Sequence, residues 1–228
     1  MNKGFIIAID GPVAAGKGTI APMLAEKLHG FYLYTGAMYR CVALYCIEHA
    51  VGVSEKQKVI TVAKEVADTI QLINHHVFLE GNNVTERLKD SDVAKLSSII
   101  AAIPEVRQRM VLRQQTIAKE MALDGAIVVA EGRDTGTKVF PGAAVKIFLT
   151  ASPEIRATRR IAQYEARGEH VTYEQILQDT LERDKRDTER ETDPLPVQPE
   201  KLGYIIINDS TISKDETLEM ILEIALSV

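Results

Sequence analysis

Five short apolar runs separated by segments of helical period predict an α/β fold built on a doubly wound, five-stranded parallel sheet. The runs are Phe5–Ile9, Phe31–Tyr34, Ala126–Ala130, Val145–Leu149 and Tyr204–Ile207. None alternates polar with apolar residues, the pattern of strands buried on both faces. Between them, apolar stripes at Leu24 and Leu28, at Met38, Val42, Tyr45 and Cys46, at Val106, Met110, Ile117 and Met121, and at Leu218, Ile221, Leu222 and Ala225 mark amphipathic helices. A third observation is the glycine-rich turn directly after the first run, because ligands of such sheets bind beyond the carboxyl ends of the strands.

That turn reads Gly11-Pro12-Val13-Ala14-Ala15-Gly16-Lys17-Gly18-Thr19. Its backbone N–H groups form an anion nest, the helix that follows points its positive dipole end at the same place, and Lys17 supplies a full charge. A nucleoside triphosphate is the ligand such a loop fits, with Lys17 on the β and γ phosphates and the Thr19 hydroxyl on a bridging magnesium ion. A glycine-rich hairpin with an incidental lysine is the bland alternative, and the strand before and helix after argue against it.

The stretch from Thr61 to Ser98 breaks the strand-helix alternation and reads as a small inserted subdomain. Gln71–Glu80 is predicted to be extended, Gly81-Asn82-Asn83 to turn, and Val84–Leu88 to return. After the third run comes Glu131-Gly132-Arg133-Asp134-Thr135-Gly136-Thr137. A carboxylate at the end of a strand beside the phosphate loop is where a magnesium-ordering group belongs, which nominates Glu131, and Arg133 and Asp134 are expected to face a second substrate.

Of 13 arginines, seven fall between Arg156 and Arg190, against one lysine, Lys185. The guanidinium fork is preferred where phosphate is gripped bidentately, so Arg156, Arg159, Arg160, Arg167, Arg183, Arg186 and Arg190 point to a phosphate clamp on a mobile lid. The competing reading is a solvated helix pair with ion pairs such as Glu182–Arg186 and Asp179–Arg183.

The net charge of -5 argues against nucleic acid as a partner. No run has membrane-spanning length and no signal-type segment precedes the first strand, so a cytoplasmic protein with no membrane association is expected. Cys41 and Cys46 fit no metal motif and are expected to be buried reduced thiols. The absence of an Asn-Lys-x-Asp sequence weakens a GTPase-type switch, the alternative from another class.

On these motifs the chain resembles bacterial-type cytidylate kinases along essentially its whole length. The matching pieces are Gly16-Lys17-Gly18-Thr19, Thr35-Gly36-Ala37-Met38-Tyr39-Arg40, Gly132 to Thr137, Val145–Leu149, Arg183-Asp184-Lys185-Arg186-Asp187 with Arg190, and the central insert. The resemblance implies one P-loop kinase domain over residues 1–228, an α+β nucleoside-monophosphate-binding insert over 61–98 and an arginine-rich helical lid over 153–192. It implies magnesium-dependent transfer of the ATP γ-phosphoryl to CMP or dCMP, by a monomer. ATP would lie on the loop from Gly11 to Thr19 with Arg159 and Arg160, and Lys17, Arg133 and Arg183 would be catalytic. Thr35, Arg40, Arg133 and Arg183 would surround the CMP phosphate. Tyr39, Ser98, Arg107, Asp134 and Arg190 would surround the base, with Arg183 and Asp187 near the sugar. Kinases of UMP, AMP or shikimate are the nearest alternatives.

Two departures stand out. Val13-Ala14 replaces the usual Ser-Gly of the loop, and Glu131 stands where Asp is frequent. An alanine strains the loop if its position needs positive φ, and the expectation is that Ala14 occupies an ordinary conformation.

Overall fold

The computed structural model describes residues 4–228. Strands β1 (Ile6–Asp10), β2 (Phe31–Tyr34), β6 (Val128–Gly132), β7 (Val145–Thr150) and β8 (Ile205–Asn208) form one parallel sheet in the order β2-β6-β1-β7-β8. This is the predicted doubly wound, five-stranded sheet. Four strands, β1, β6, β7 and β8, run further at their carboxyl ends than expected, so Asp10, Glu131 and Gly132 lie inside strands rather than after them. The sheet order reverses at β1, with β6 on one side and β7 on the other, and the crevice beyond these three ends is the place such a fold offers a ligand.

The alternation of side chains along the strands sorts the core into two layers. Ile7, Ile9, Val129, Val145, Ile147 and Leu149 pack with α1 (Lys17–Lys27) and α8 (Lys214–Leu226). Val128 and Ala130 face the other side, toward α2 (Thr35–Glu48), α3 (Lys56–Thr69), α4 (Ser91–Ile100) and α5 (Pro104–Leu123). Cys41 and Cys46 are free thiols in that second layer, and burial pushes them up to about 12 and about 11. Among the described residues no helix is long and apolar enough to cross a membrane.

The expected insert is built differently from its reading. Thr61 falls inside α3, whose Val59, Val62, Ala63, Val66 and Ala67 join the same core as α2 and α5. The stretch Gln71–Glu80 is a hairpin rather than one extended segment: β3 (Gln71–Ile73) pairs antiparallel with β4 (His76–Leu79) through a turn at Asn74 and His75 with φ of 48° and 66°. The reading missed this turn because neither position is glycine, although asparagine and histidine adopt positive φ more readily than most residues. The second turn, at Glu80-Gly81, leads only to the two-residue β5 (Asn82–Asn83), and Val84–Leu88 does not return as a strand.

The arginine-rich segment forms two helices, α6 (Pro153–Glu165) and α7 (Tyr173–Glu189). Ser152 caps α6 ahead of Pro153 at its first position, and Thr172 with Gln175 makes a capping box at the start of α7. Arg167 donates to the Lys89 carbonyl at 2.6 Å and Arg186 to Ser98 Oγ at 3.3 Å, joining this helix pair to the insert across the crevice.

Asp10 ties the sheet to the loop after β6. Its buried carboxylate accepts from Thr135 N at 2.8 Å, from Gly136 N at 2.7 Å and from the Tyr204 hydroxyl at 2.7 Å. These bonds fix the single π turn Thr135–Val139 and hence the direction in which Arg133 and Asp134 leave β6. Asp10→Asn places an amide donor against donors, which is expected to lower unfolding free energy by about 2 kcal/mol; chemical denaturation showing no loss would refute the clamp.

Candidate active site

The phosphate loop depends on one close approach. A Cβ at Gly11 would lie 1.9 Å from the Leu149 carbonyl oxygen, so only glycine lets the loop leave β1 against the end of β7. Gly16 takes the left-handed conformation as the residue before α1, and the first turn of that helix carries neither an acidic residue nor a side-chain cap. The dipole end is left for an anion. Lys17 is 4% exposed and curls over the loop, donating to the carbonyls of Gly11 and Pro12, both at 2.7 Å. Burial, reinforced by Arg133, lowers its ammonium to about 7.

Ala14 has φ of 57°. This corrects the expectation of an ordinary conformation: the position needs the left-handed region, which costs a residue with a Cβ about 1–2 kcal/mol.

Arg156, which the sequence left undecided between clamp and solvated face, is buried. It donates to the carbonyls of Ala151 at 2.9 Å and Val13 at 3.2 Å and pairs with Asp184 at 2.6 Å, so it braces the loop against α7. Arg159 pairs with Asp209 at 3.0 Å, and Arg160 donates to Thr180 Oγ1 at 2.8 Å.

Across the cleft, Thr35 opens α2 and donates its hydroxyl to the Glu131 carbonyl at 2.6 Å. Arg40 is held by the Leu88 carbonyl at 2.7 Å. Arg133 pairs with Asp187 at 2.7 Å. Burial pushes the Asp187 carboxyl up, but Arg133 and Arg183 outweigh it and hold the group low. Arg183 Nε is buried with no hydrogen-bond partner among the described residues, and burial together with Arg133 lowers the guanidinium to about 10.

Deeper in the same half lies a charge-balanced group. Arg107, 2% exposed, stacks over Tyr39 at 5.6 Å, pairs with Asp134, and donates to Asp193 at 3.1 Å and to the Ala101 carbonyl at 3.1 Å. Arg190 Nη2 approaches the other Asp134 oxygen at 3.5 Å. Burial raises the Asp134 carboxyl, and the two arginines pull it back only in part.

Of the site residues expected from the sequence, all but Gly11, Pro12, Arg156 and Arg186 line one cleft of about 870 Å³; Gly11 and Pro12 supply the carbonyls that hold Lys17, Arg156 braces the loop and Arg186 reaches Ser98. The ion pairs of the solvated-face reading do not account for the segment. Arg186 reaches Ser98, Glu182 accepts from Gln178 at 2.9 Å, and Arg183 faces the cleft. Sequence reasoning missed Asp10, Asp184, Asp193 and Asp209, the carboxylates that hold the nominated arginines and loops. Only Asp184, interleaved with the clustered arginines, carried a signal in the sequence; Asp10, Asp193 and Asp209 lie outside that cluster.

Two stability predictions follow from the loop. Ala14→Gly relieves the left-handed strain and is expected to raise stability by up to about 1 kcal/mol, partly offset by the freer unfolded chain; an unchanged or lower Tm would contradict this. Lys17→Met removes a lysine whose folded pKa lies below its unfolded one, so the unfolded state binds the extra proton and the fold is penalised below the ordinary lysine range. The variant is expected to melt higher than wild type at pH 7, with the gain vanishing as pH rises toward about 10.5. A lower Tm at pH 7 would show that the lysine stabilises its loop.

Comparison with known proteins agrees with this geometry. The family model described as cytidylate kinase matches residues 7–227. A cytidylate kinase of Fervidobacterium nodosum is 41% identical over 220 residues, covering 96% of this chain and 94% of that protein. One from Caldanaerobacter subterraneus is 39% identical over 223 residues, covering 98% and 95%. The solved structure of an uncharacterized Eubacterium ventriosum protein superposes with a TM-score of 0.56 at 16% identity, over 99% of this chain and 100% of that one, a likeness of fold alone. A family model that spans residues 7–227, with relatives at 39–41% identity over nearly the whole chain, means that this chain belongs to the cytidylate kinase family of enzymes.

Proposed function

We propose that the cleft transfers the γ-phosphoryl group of ATP to CMP or dCMP, giving ADP and CDP or dCDP, with the residues of this chain in the following roles. The observation that carries the reading is a single cleft with a phosphate loop at one end and the buried Asp134 carboxylate, flanked by Arg107 and Arg190, at the other. ATP lies on the loop from Gly11 to Thr19, with Lys17 on its β and γ phosphates and Arg159 and Arg160 beside it. Thr35, Arg40, Arg133 and Arg183 take the acceptor phosphate, and Asp187 with Arg183 takes the sugar.

The acceptor oxygen is already anionic, so no residue acts as general base. Catalysis is positioning and charge neutralisation, with Lys17, Arg133 and Arg183 on the transferring group. Thr19 is exposed at the loop, and Glu131 is buried at the end of β6, where among the described residues its carboxylate accepts one hydrogen bond, from the Tyr32 hydroxyl at 3.4 Å, and faces the charges of Lys17 and Arg133. Two such oxygens suit a magnesium ion that takes its other ligands from phosphates and water. That ion would neutralise charge on the β and γ phosphates.

Base choice follows from Asp134. Cytosine presents an amino donor where uracil presents an oxygen, and Tyr39, Ser98, Arg107 and Arg190 complete a pocket for the first pattern. The mismatched base leaves buried polar groups unpaired, at about 1–3 kcal/mol each. Residues 61–98 serve as the monophosphate-binding insert and 153–192 as a lid that excludes water. The enzyme is proposed to act as a monomer in the cytoplasm, a reducing compartment that suits the two free buried thiols.

ADP release from ATP and magnesium is expected to be fastest with CMP and dCMP, and slow with UMP, AMP and shikimate. Lys17→Ala should reduce turnover by roughly a hundredfold or more. Asp134→Ala should lower kcat/KM for CMP far more than for UMP; equal losses would make Asp134 a structural residue.

A further inference from the structure

Asp193 lies outside the cleft, in the segment after α7, yet it holds both arginines that flank Asp134. Its Oδ2 accepts from Arg107 Nε at 3.1 Å, and Lys138 Nζ lies 3.7 Å from its Oδ1. Its backbone carbonyl accepts from Arg190 Nε at 2.8 Å and from Arg190 Nη2. The residue sits at φ 48°, in the left-handed region that asparagine and aspartate reach most readily among residues with a Cβ. That conformation serves side chain and carbonyl together, one on each arginine.

The consequence appears on Asp134. Its Oδ2 is taken by Arg107, but among the described residues Oδ1 has only Arg190 Nη2 at 3.5 Å, beyond good hydrogen-bond geometry. Arg190 is drawn off by the Asp193 carbonyl, and Arg107 is gripped at Nε by the Asp193 carboxylate. Without that grip, two buried guanidinium groups would share one carboxylate, and the favoured arrangement is a bidentate fork that consumes both Asp134 oxygens. We infer that Asp193 is a positioning residue for base selectivity: by taking up Arg107 and Arg190 it leaves Asp134 Oδ1 free to accept the exocyclic amino group of cytosine. This rests on the proposed role of Asp134 and goes beyond it by assigning the residue that keeps Asp134 available.

The test is steady-state kinetics of Asp193→Asn and Asp193→Ala with CMP, UMP and ATP varied in turn, alongside thermal melts. Asparagine keeps the left-handed backbone, the carbonyl and one acceptor oxygen, and replaces the charge and the second oxygen with an amide donor. It is expected to raise the KM for CMP by about tenfold with kcat within about twofold, leaving the ATP KM and the UMP kcat/KM within about twofold, so that the preference for CMP over UMP falls. Alanine should extend the same pattern. A residue that merely anchors its segment would lower Tm and move the CMP and ATP constants together, or leave the CMP to UMP ratio intact, and either result overturns the inference. A wild-type enzyme with no preference for CMP over UMP would overturn the reading of Asp134 as well. Wild-type preference that survives in Asp193→Asn would overturn this inference alone.

Discussion

Lys17 is buried against the carbonyls of its own loop with Arg133 as a like charge beside it, and Arg133 repels the buried Arg183 in turn, a repulsion around which the rest of the site is arranged. Like charges about 4 Å apart cost about 4 kcal/mol at the effective dielectric of a protein surface. Burial adds a desolvation penalty to each cation. Carboxylates offset part of this: Asp187 holds Arg133, Asp184 holds Arg156, Asp209 holds Arg159, and Asp134 with Asp193 holds Arg107. Among the described residues Lys17 and Arg183 are left without such a partner, and both are displaced from the ordinary range of their groups. In the proposed mechanism a transferring phosphoryl group supplies the missing charge, and the stability given up in the fold is then recovered when phosphate enters.

The sheet makes this arrangement rigid. β1 delivers the loop and Asp10, β6 delivers Glu131 and leads into Arg133 and Asp134, and β7 leads into the helix that carries Arg156 and Arg159. Because the three strands are neighbours, their ends are fixed by ladder hydrogen bonds, and the cations come together by backbone geometry before any side chain is placed. The acceptor half is carried by helices and by the segment after α7, where contacts run through single arginines such as Arg167 and Arg186. Motion during turnover is expected in that half.

The parallel sheet and the phosphate loop were legible because both depend on local pattern: continuous apolar runs for buried strands, and glycine at Gly11 and Gly16 where the backbone must pass close or turn left-handed. The nominated arginines were legible because clustering of one residue type survives in one dimension. What was not legible is pairing. Nothing local to Asp10 says that it meets Thr135, and nothing local to Asp193 says that it grips Arg107, since the partners lie 125 and 86 residues apart in sequence. The hairpin at Asn74-His75 was missed because its turn lacks glycine, and the strain at Ala14 was missed because φ is set by the loop's closure on β7 and Arg156.

Proton linkage tests the central claim most directly. At pH 8 nucleotide phosphates are fully ionised, since their second pKa is about 6, so they have no proton left to release on binding. Titration calorimetry of an ATP analogue that cannot transfer its γ-phosphoryl, repeated in buffers of differing ionisation enthalpy, then reports the protonation of the protein. The account predicts uptake of roughly one proton per nucleotide, abolished in Lys17→Met, as the phosphates return Lys17 to its charged form. Binding with no proton uptake, or with uptake that persists in Lys17→Met, would contradict it.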